Sequence, residues 1–216
     1  MNAVKYLFPF LFLLFNSCAQ LTFLQDARTY GKNNGHAGAT LTAYGTNDPG
    51  NDEVIAGGAV PFGILHGSYG LSDKVDVQYS ISSAFNVYGG VKLQVVGDRQ
   101  SRFALSLLPG LEYQFIGGNN EGFIRPHLSL IGSFHPSERF AVFLEPKFIA
   151  QFFDDERFFF PGASLGVKFQ VTDRIDVSLG GSLFKVENDD TVSNACLLYT
   201  SPSPRDATLS RMPSSA

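Results

Sequence analysis

From residue 37 onward, hydrophobic and polar residues alternate along the chain with a period of two. In the stretch VDVQYSIS (75–82), for example, the apolar residues fall on one face and the polar residues on the other. This alternation is typical of β-strands rather than helices. It predicts nine strands, at residues 37–44, 55–69, 75–82, 87–95, 103–115, 123–134, 140–152, 161–171 and 175–184.

Short connections link many of these strands. Four of them are tight and charged, and they lie at 72–74, 98–102, 137–139 and 172–174. Strands joined by such short turns run antiparallel, and no helical pattern lies between them that could make a parallel crossover. The sequence therefore predicts an antiparallel up-and-down meander.

The length of the strands and the placement of phenylalanine indicate a membrane barrel. The strands run to about 9–13 residues, close to the length that crosses a bilayer at a tilt. Phenylalanines cluster near strand ends, as in the aromatic girdles of outer-membrane barrels. Because backbone groups in lipid must all be paired, we expect 37–195 to form a closed transmembrane β-barrel, with about nine visible strands of ten or more. A soluble exported sandwich or a lipocalin-like barrel is the alternative.

Five prolines lie within the predicted strands, where each removes a hydrogen-bond donor from the ladder. They are Pro61, Pro109, Pro126, Pro146 and Pro161. We expect bulges or bends at these positions.

The first 19 residues are predicted to be a signal peptide. Lys5 precedes the apolar run 6–15, and small residues follow it. Cleavage is predicted before Gln20, or before Cys18 if the stretch FNSC acts as a lipobox, in which case Cys18 carries a lipid. Residues 20–36 are then expected to be a periplasmic segment.

The end of the chain, residues 196–216, departs from the strand pattern and is rich in serine and proline. One permitted codon series for this stretch corresponds to a transposase mosaic end and a sequencing adapter. We therefore expect 196–216 to be an adapter-derived tail, with the natural C-terminus missing after about Ala195. A natural disordered tail is the alternative.

Composition narrows the function classes. The formal net charge is −4 and charged residues make up 17% of the chain. Nucleic-acid binding requires clustered basic residues, so this class is excluded. The sequence indicates no cofactor.

The polar faces of the strands carry four acidic and four basic residues that we expect to face the barrel interior. In so narrow a barrel, side chains fill the interior and opposite charges satisfy each other. A salt-bridged plug is therefore expected, and a narrow polar conduit is the alternative. The eight residues are Asp76, Lys92, Glu112, Arg125, Glu145, Lys147, Lys168 and Asp176.

Catalytic and metal motifs are weak. His127 and Ser129, with Glu112 or Glu145, could form a lipid hydrolase site, but no nucleophile-elbow motif supports it. The four histidines lack metal-ligand spacing. The acidic loop 46–53 lacks the spacing of a calcium loop, so we predict no catalytic residues and no metal site.

The stretches ARTYGKNNGH (27–36), YGLSDKVDVQYSIS (69–82) and GVKLQVVGD (90–98) resemble outer-membrane β-barrel proteins of Gram-negative bacteria. The resemblance covers about 25–195. It implies a location in the cell outer membrane and offers no catalytic residues to carry over.

Together these observations predict a non-enzymatic barrel with a structural, surface-interaction or small-solute role. Its expected partners are outer-membrane lipids and the barrel assembly machinery, and any surface ligand is unknown. The alternatives are a barrel enzyme acting on outer-membrane lipid and a soluble exported binding barrel.

Overall fold

The computed structural model describes residues 24–47, 60–83, 85–115, 122–153, 156–172, 175–186 and 189–202. Ten β-strands account for most of these residues. No helix in this part of the chain is long and apolar enough to cross a membrane. The strands are β1 (Gly35–Asn47), β2 (Val60–Ser72), β3 (Val75–Ser82), β4 (Asn86–Val96), β5 (Phe103–Phe115), β6 (Gly122–Ser137), β7 (Phe140–Phe153), β8 (Glu156–Gln170), β9 (Ile175–Val186) and β10 (Asp189–Pro202).

The strands form one closed antiparallel barrel in which each pairs with its neighbours in sequence, and β1 pairs with β10. The predicted all-β, up-and-down meander is confirmed. Short turns join β2 to β3, β4 to β5, β6 to β7 and β8 to β9 at one end of the barrel, which we call the short-turn end. Closure leaves no sheet edge unpaired, which is the condition for placing β-structure in lipid.

The outer wall of the barrel is apolar. Large hydrophobic side chains point outward from successive strands, and they include Leu65, Tyr79, Leu128, Leu165 and Leu183, each about half exposed or more. Water would penalise so continuous an apolar surface, whereas lipid solvates it. The inner wall carries the polar residues between them. The fold is therefore that of an outer-membrane-type barrel, with a polar interior and a lipid-facing exterior.

The tenth strand follows the nine visible strands of the sequence prediction, the last of which is expected at 175–184. The backbone of β10 runs to Pro202 and pairs with both β1 and β9. Open edges on β1 and β9 would leave rows of N–H and C=O groups unpaired, and the following chain supplies partners for them. Main-chain hydrogen bonds can form with any residue type, so the pairing of β10 does not test the assignment of 196–216 to an adapter. That assignment stays a prediction.

The strand prolines do not cause the expected bulges. Pairing of β4 with β5 runs to Gly90↔Gly110 and resumes at Leu93↔Leu107 in the same register, so only the bonds beside Pro109 are lost. Pairing of β6 with β7 likewise keeps one register past Pro126 and Pro146. Each of these prolines still has a paired residue on its other neighbouring strand. Register shifts occur elsewhere, near the short-turn end at Gly70/Ser72, Gln94/Val96 and Phe134/Ser137, and at Asp189/Val192.

The structure describes residues 24–34 of the predicted N-terminal segment, which we call the plug segment. Its residues up to Gly31 lie inside the barrel, whereas Lys32 and Asn33 are exposed at the turn that leads into β1, which begins at Gly35. Leu24 reaches deepest and is 2% exposed. The segment is short, and burying it replaces water in the lumen with apolar and hydrogen-bonded contacts.

A tight turn brings the plug segment out of the lumen and into β1. Gly31 and Asn33 adopt positive φ angles of 80° and 61°. Two backbone hydrogen bonds join this turn to β2. The N–H of Asn33 donates to the carbonyl of Gly70, and the N–H of Gly70 donates to the carbonyl of Asn34. A Cβ on Gly70 would meet the carbonyl oxygen of Gly31 at 2.0 Å, so only glycine fits there.

Candidate functional site

The eight charged residues singled out in the sequence lie on the inner wall of the barrel and form four acid–base pairs. Asp76 pairs with Lys92 at 3.4 Å, Glu112 with Arg125 at 2.7 Å, Glu145 with Lys147 at 3.1 Å and Asp176 with Lys168 at 3.2 Å. Two of these pairs join residues directly opposite each other on neighbouring strands. Pairing is what makes burial of these charges tolerable.

Glu112 is the centre of the pairs farther from the short-turn end. Besides Arg125, its carboxylate lies 3.2 Å from Nε2 of His127 and accepts a hydrogen bond of 2.6 Å from the amide of Asn86. Arg125 also donates to Gln114. Apolar side chains fill the same level of the lumen, since Ile149 and Phe184 are buried there against Phe160. Among the described residues, buried side chains thus occupy the lumen at this level.

The half nearer the short turns has a different lining. Nine small residues of the described chain lie on its inner wall among larger ones, and the plug segment passes beside them. These small residues are Ser68, Gly70, Ala104, Ser106, Ser133, Ala141, Gly166, Ser178 and Gly180.

Side chains of the barrel bind the backbone of the plug segment at successive residues. Lys92 Nζ donates to the carbonyls of Asp26 (3.2 Å) and Arg28 (2.8 Å). The Ser106 hydroxyl donates to the carbonyl of Ala27. Barrel acceptors bind the N–H groups that follow.

Two barrel side chains supply these acceptors. Gln94 Oε1 accepts from both the N–H (3.1 Å) and the hydroxyl (2.9 Å) of Thr29. The carboxylate of Asp76 accepts from the N–H of Tyr30 at 3.0 Å. The inner wall thus satisfies main-chain groups of the plug segment, which water would otherwise do.

Asp26 is the one acidic side chain of the plug segment, and four groups surround its carboxylate. Ser133 donates to it at 3.0 Å, Nε2 of His135 lies at 3.1 Å and Nζ of Lys168 at 3.8 Å. The N–H of Arg28 donates from within the segment at 2.9 Å. Sequence analysis did not identify Asp26, because no periodic pattern surrounds it.

The pKa of Asp26 lies below the usual range of a carboxyl. Burial acts to raise this pKa, but the hydrogen bond with His135 and the charges of Lys168 and His135 outweigh it. The ionised form is therefore the bound form, and protonation weakens the attachment of the plug segment.

Apolar contacts complete the fit of the plug segment. Ala27 is fully buried and packs with Ala104, Leu108 and Ile131. Leu24 packs on Phe143. It also lies over Gly180, where an added Cβ would meet its Cδ1 at 2.7 Å. The close contacts at Ala27 leave no room for a larger side chain.

Replacing Asp26 with asparagine is expected to lower the free energy of unfolding at pH 7 by about 1–3 kcal/mol, the usual range for hydrogen bonds to a charged group. The folded pKa is depressed, so this contribution is complete above the unfolded value of about 3.9 and is lost as pH falls below it. Urea titration of both proteins at pH 7 and pH 3 measures the effect. The stability difference between wild type and Asp26→Asn should shrink at pH 3, and an unchanged difference would contradict the role of the ionised carboxylate.

Two small cavities lie beside the plug segment. A cavity of about 40 Å³ lies beside Asp26, His135 and Lys168. A second, of about 10 Å³, lies beside Tyr30 and His36. Together they hold no more than a few water molecules.

The residues considered for lipid hydrolysis do not form a catalytic arrangement. Ser129 is 1% exposed, and its hydroxyl makes no hydrogen bond to His127 or to any other described residue. His127 is oriented by Glu112 instead. A nucleophile needs a base within hydrogen-bond reach, and the substrate must reach it.

Other features noted in the sequence carry less structural information. Among the described residues, no group of three or more His, Cys, Asp or Glu side chains could hold a metal ion. His36 instead stacks between Tyr30 and His66 and lies 3.7 Å from Asp176. Cys18 and the acidic stretch 48–53 lie outside the described residues.

No protein-family model and no curated protein matches the chain. Among solved structures, it is similar to Neisserial surface protein A, at 12% identity and a TM-score of 0.31 over 78% of this chain and 96% of that one. It is also similar to the outer membrane protein Omp33 of Acinetobacter baumannii, at 10% identity and a TM-score of 0.32 over 81% of this chain and 100% of that one. For the outer membrane protein OprG of Pseudomonas aeruginosa the identity is 10% and the TM-score 0.25, over 81% and 96% of the two chains. With scores this low, the assignment to a membrane barrel rests on the apolar wall and polar interior of the chain itself.

Proposed function

We propose that the protein is a non-enzymatic, non-conducting barrel of the outer membrane, with a structural or surface-interaction role. The observation that supports this most directly is the filled lumen. The plug segment occupies the half nearer the short turns, and the network around Glu112 with the packed Ile149 and Phe184 occupies the other half. A barrel of ten strands has too narrow an interior to keep a water channel beside such contents.

The surroundings of the barrel belong to the same proposal. The apolar outer wall fits outer-membrane lipids, and the predicted signal peptide supports export followed by insertion through the barrel assembly machinery. Outer-membrane barrels keep their short turns in the periplasm, which would place the entrance of the plug segment on that side. The ends of β1, β2, β5 and β6 that lie opposite the short turns would then face outward and carry the surface for interaction.

Planar-bilayer recording tests the absence of conductance. The full-length protein, refolded and inserted into a bilayer, is expected to give no current steps above the baseline, because no continuous water path crosses the filled lumen. Folding is checked by the shift that folded barrels show on SDS gels between unboiled and boiled samples. An open porin of about 16 strands, reconstituted in the same way, serves as the positive control. Reproducible current steps from the folded protein would favour the small-solute passage alternative.

A further inference from the structure

The half of the lumen near the short turns has the properties of a peptide-binding cavity. Small residues lie on its wall. Four of its polar side chains form hydrogen bonds with the main chain of the plug segment. Hydrogen bonds to the main chain provide affinity for a peptide with little dependence on its sequence. Specificity must come from the side chains of the peptide.

Several positions of the bound segment make side-chain contacts, and two of these contacts restrict the residue type most closely. At Asp26, the group formed by Ser133, His135 and Lys168 favours a carboxylate. At Ala27, contact with Ala104 and Ile131 admits only a small residue. The cavity therefore selects an acidic residue followed by a small one.

The described part of the segment leaves this cavity at the short-turn end. Asn33 and Asn34 lie at the rim beside Gly70, two residues from the end of β2, whereas Leu24 lies deeper against Phe143. In the part of the chain that the structure describes, side chains around Arg125 and Phe184 occupy the other half of the lumen. A peptide can therefore exchange at the short-turn end without opening a pore.

We propose that this half of the lumen is a binding site for peptides in which an aspartate precedes a small residue, and that the plug segment is the occupant that the chain itself supplies. The proposal rests on the filled, non-conducting barrel and identifies what its lumen binds. In the wild-type protein the tethered segment is at an effective concentration in the millimolar range, so it excludes competing peptides. A peptide supplied by another molecule binds when the plug segment is displaced.

The test uses the full chain with the substitution Ala27→Arg, which places a large charged side chain in the contact with Ala104 and Leu108 and displaces the plug segment. The probe is a synthetic peptide of residues 24–34, labelled at its C-terminal end, which lies at the rim. Fluorescence anisotropy should show saturable binding to the Ala27→Arg protein and none to the wild type. The Asp26→Asn peptide should bind about tenfold more weakly or worse, because a hydrogen bond to a charged group is lost.

A second pair of measurements locates the peptide. In the Ala27→Arg protein carrying Lys168→Gln as well, the preference of the site for the aspartate peptide over the asparagine peptide should shrink severalfold.

If Ala27→Arg prevents folding, a protease site inserted between Lys32 and Asn33 allows the folded full chain to be cut and the segment to exchange.

Three outcomes would overturn the proposal. The peptide could fail to bind a folded barrel whose plug segment is displaced or cut, it could bind the wild type equally well, or the aspartate and asparagine peptides could bind equally. Conductance of the wild type is measured independently. Failure of the proposed function is therefore distinguishable from failure of this site.

Discussion

Replacing Arg125 with alanine is expected to lower the free energy of unfolding of the barrel by about 3–5 kcal/mol, the usual cost of leaving one buried charge without its partner. Arg125 is fully buried and pairs with Glu112 at 2.7 Å. Without it, the carboxylate of Glu112 retains only Asn86 and His127 in a lumen that admits little water. Equilibrium urea unfolding in lipid vesicles measures the change.

Two comparisons separate the loss of the ion pair from the loss of volume. Adding Glu112→Gln to Arg125→Ala removes the unpaired charge and is expected to restore about half of the lost stability or more. Arg139→Ala, at an exposed position beside a short turn, should change stability by no more than about 0.5 kcal/mol. If the double variant is as unstable as the single variant, packing rather than charge accounts for the effect.

The barrel wall could be predicted from sequence because period-two alternation and membrane exposure impose the same constraint on every strand. For β3 and β5 the predicted and observed bounds coincide, as at Val75–Ser82 and Phe103–Phe115. The inward direction of the eight charged side chains follows from the same alternation. Which acid meets which base depends on strand register, and the pattern within a single strand carries no information about the register of its neighbour.

The plug segment could not be predicted, for a physical reason. Many of its contacts are made by its backbone, as the hydrogen bonds of Lys92 and Asp76 show. Backbone groups are the same in every sequence, so such contacts leave no pattern of residue types. The small residues of the inner wall were the only available signal. Gly166 and Gly180 lie at inward positions of β8 and β9 where a strand ordinarily carries a side chain, and they indicate that something else fills the space.

Replacing Leu128 with arginine is expected to lower the free energy of unfolding in lipid vesicles by about 2–4 kcal/mol, the cost of placing a charge on the lipid face near the bilayer midplane. Leu128 is 48% exposed on the outer wall. It lies near the middle of β6, opposite Pro109, the central residue of β5.

The same substitution at Val171 provides the matched control, because this residue is also exposed and apolar but lies just beyond the end of β8 at the short turns. There the cost should be about 0–1 kcal/mol. The two sites differ in their depth in the bilayer, since the side chains of Leu128 and Val171 are both apolar and exposed. If the outer wall were in contact with water instead of lipid, arginine at either site would change stability by no more than about 0.5 kcal/mol. Equal, small effects at Leu128 and Val171 would therefore contradict the assignment of this wall to the membrane, and with it the reason that the charges are buried inside.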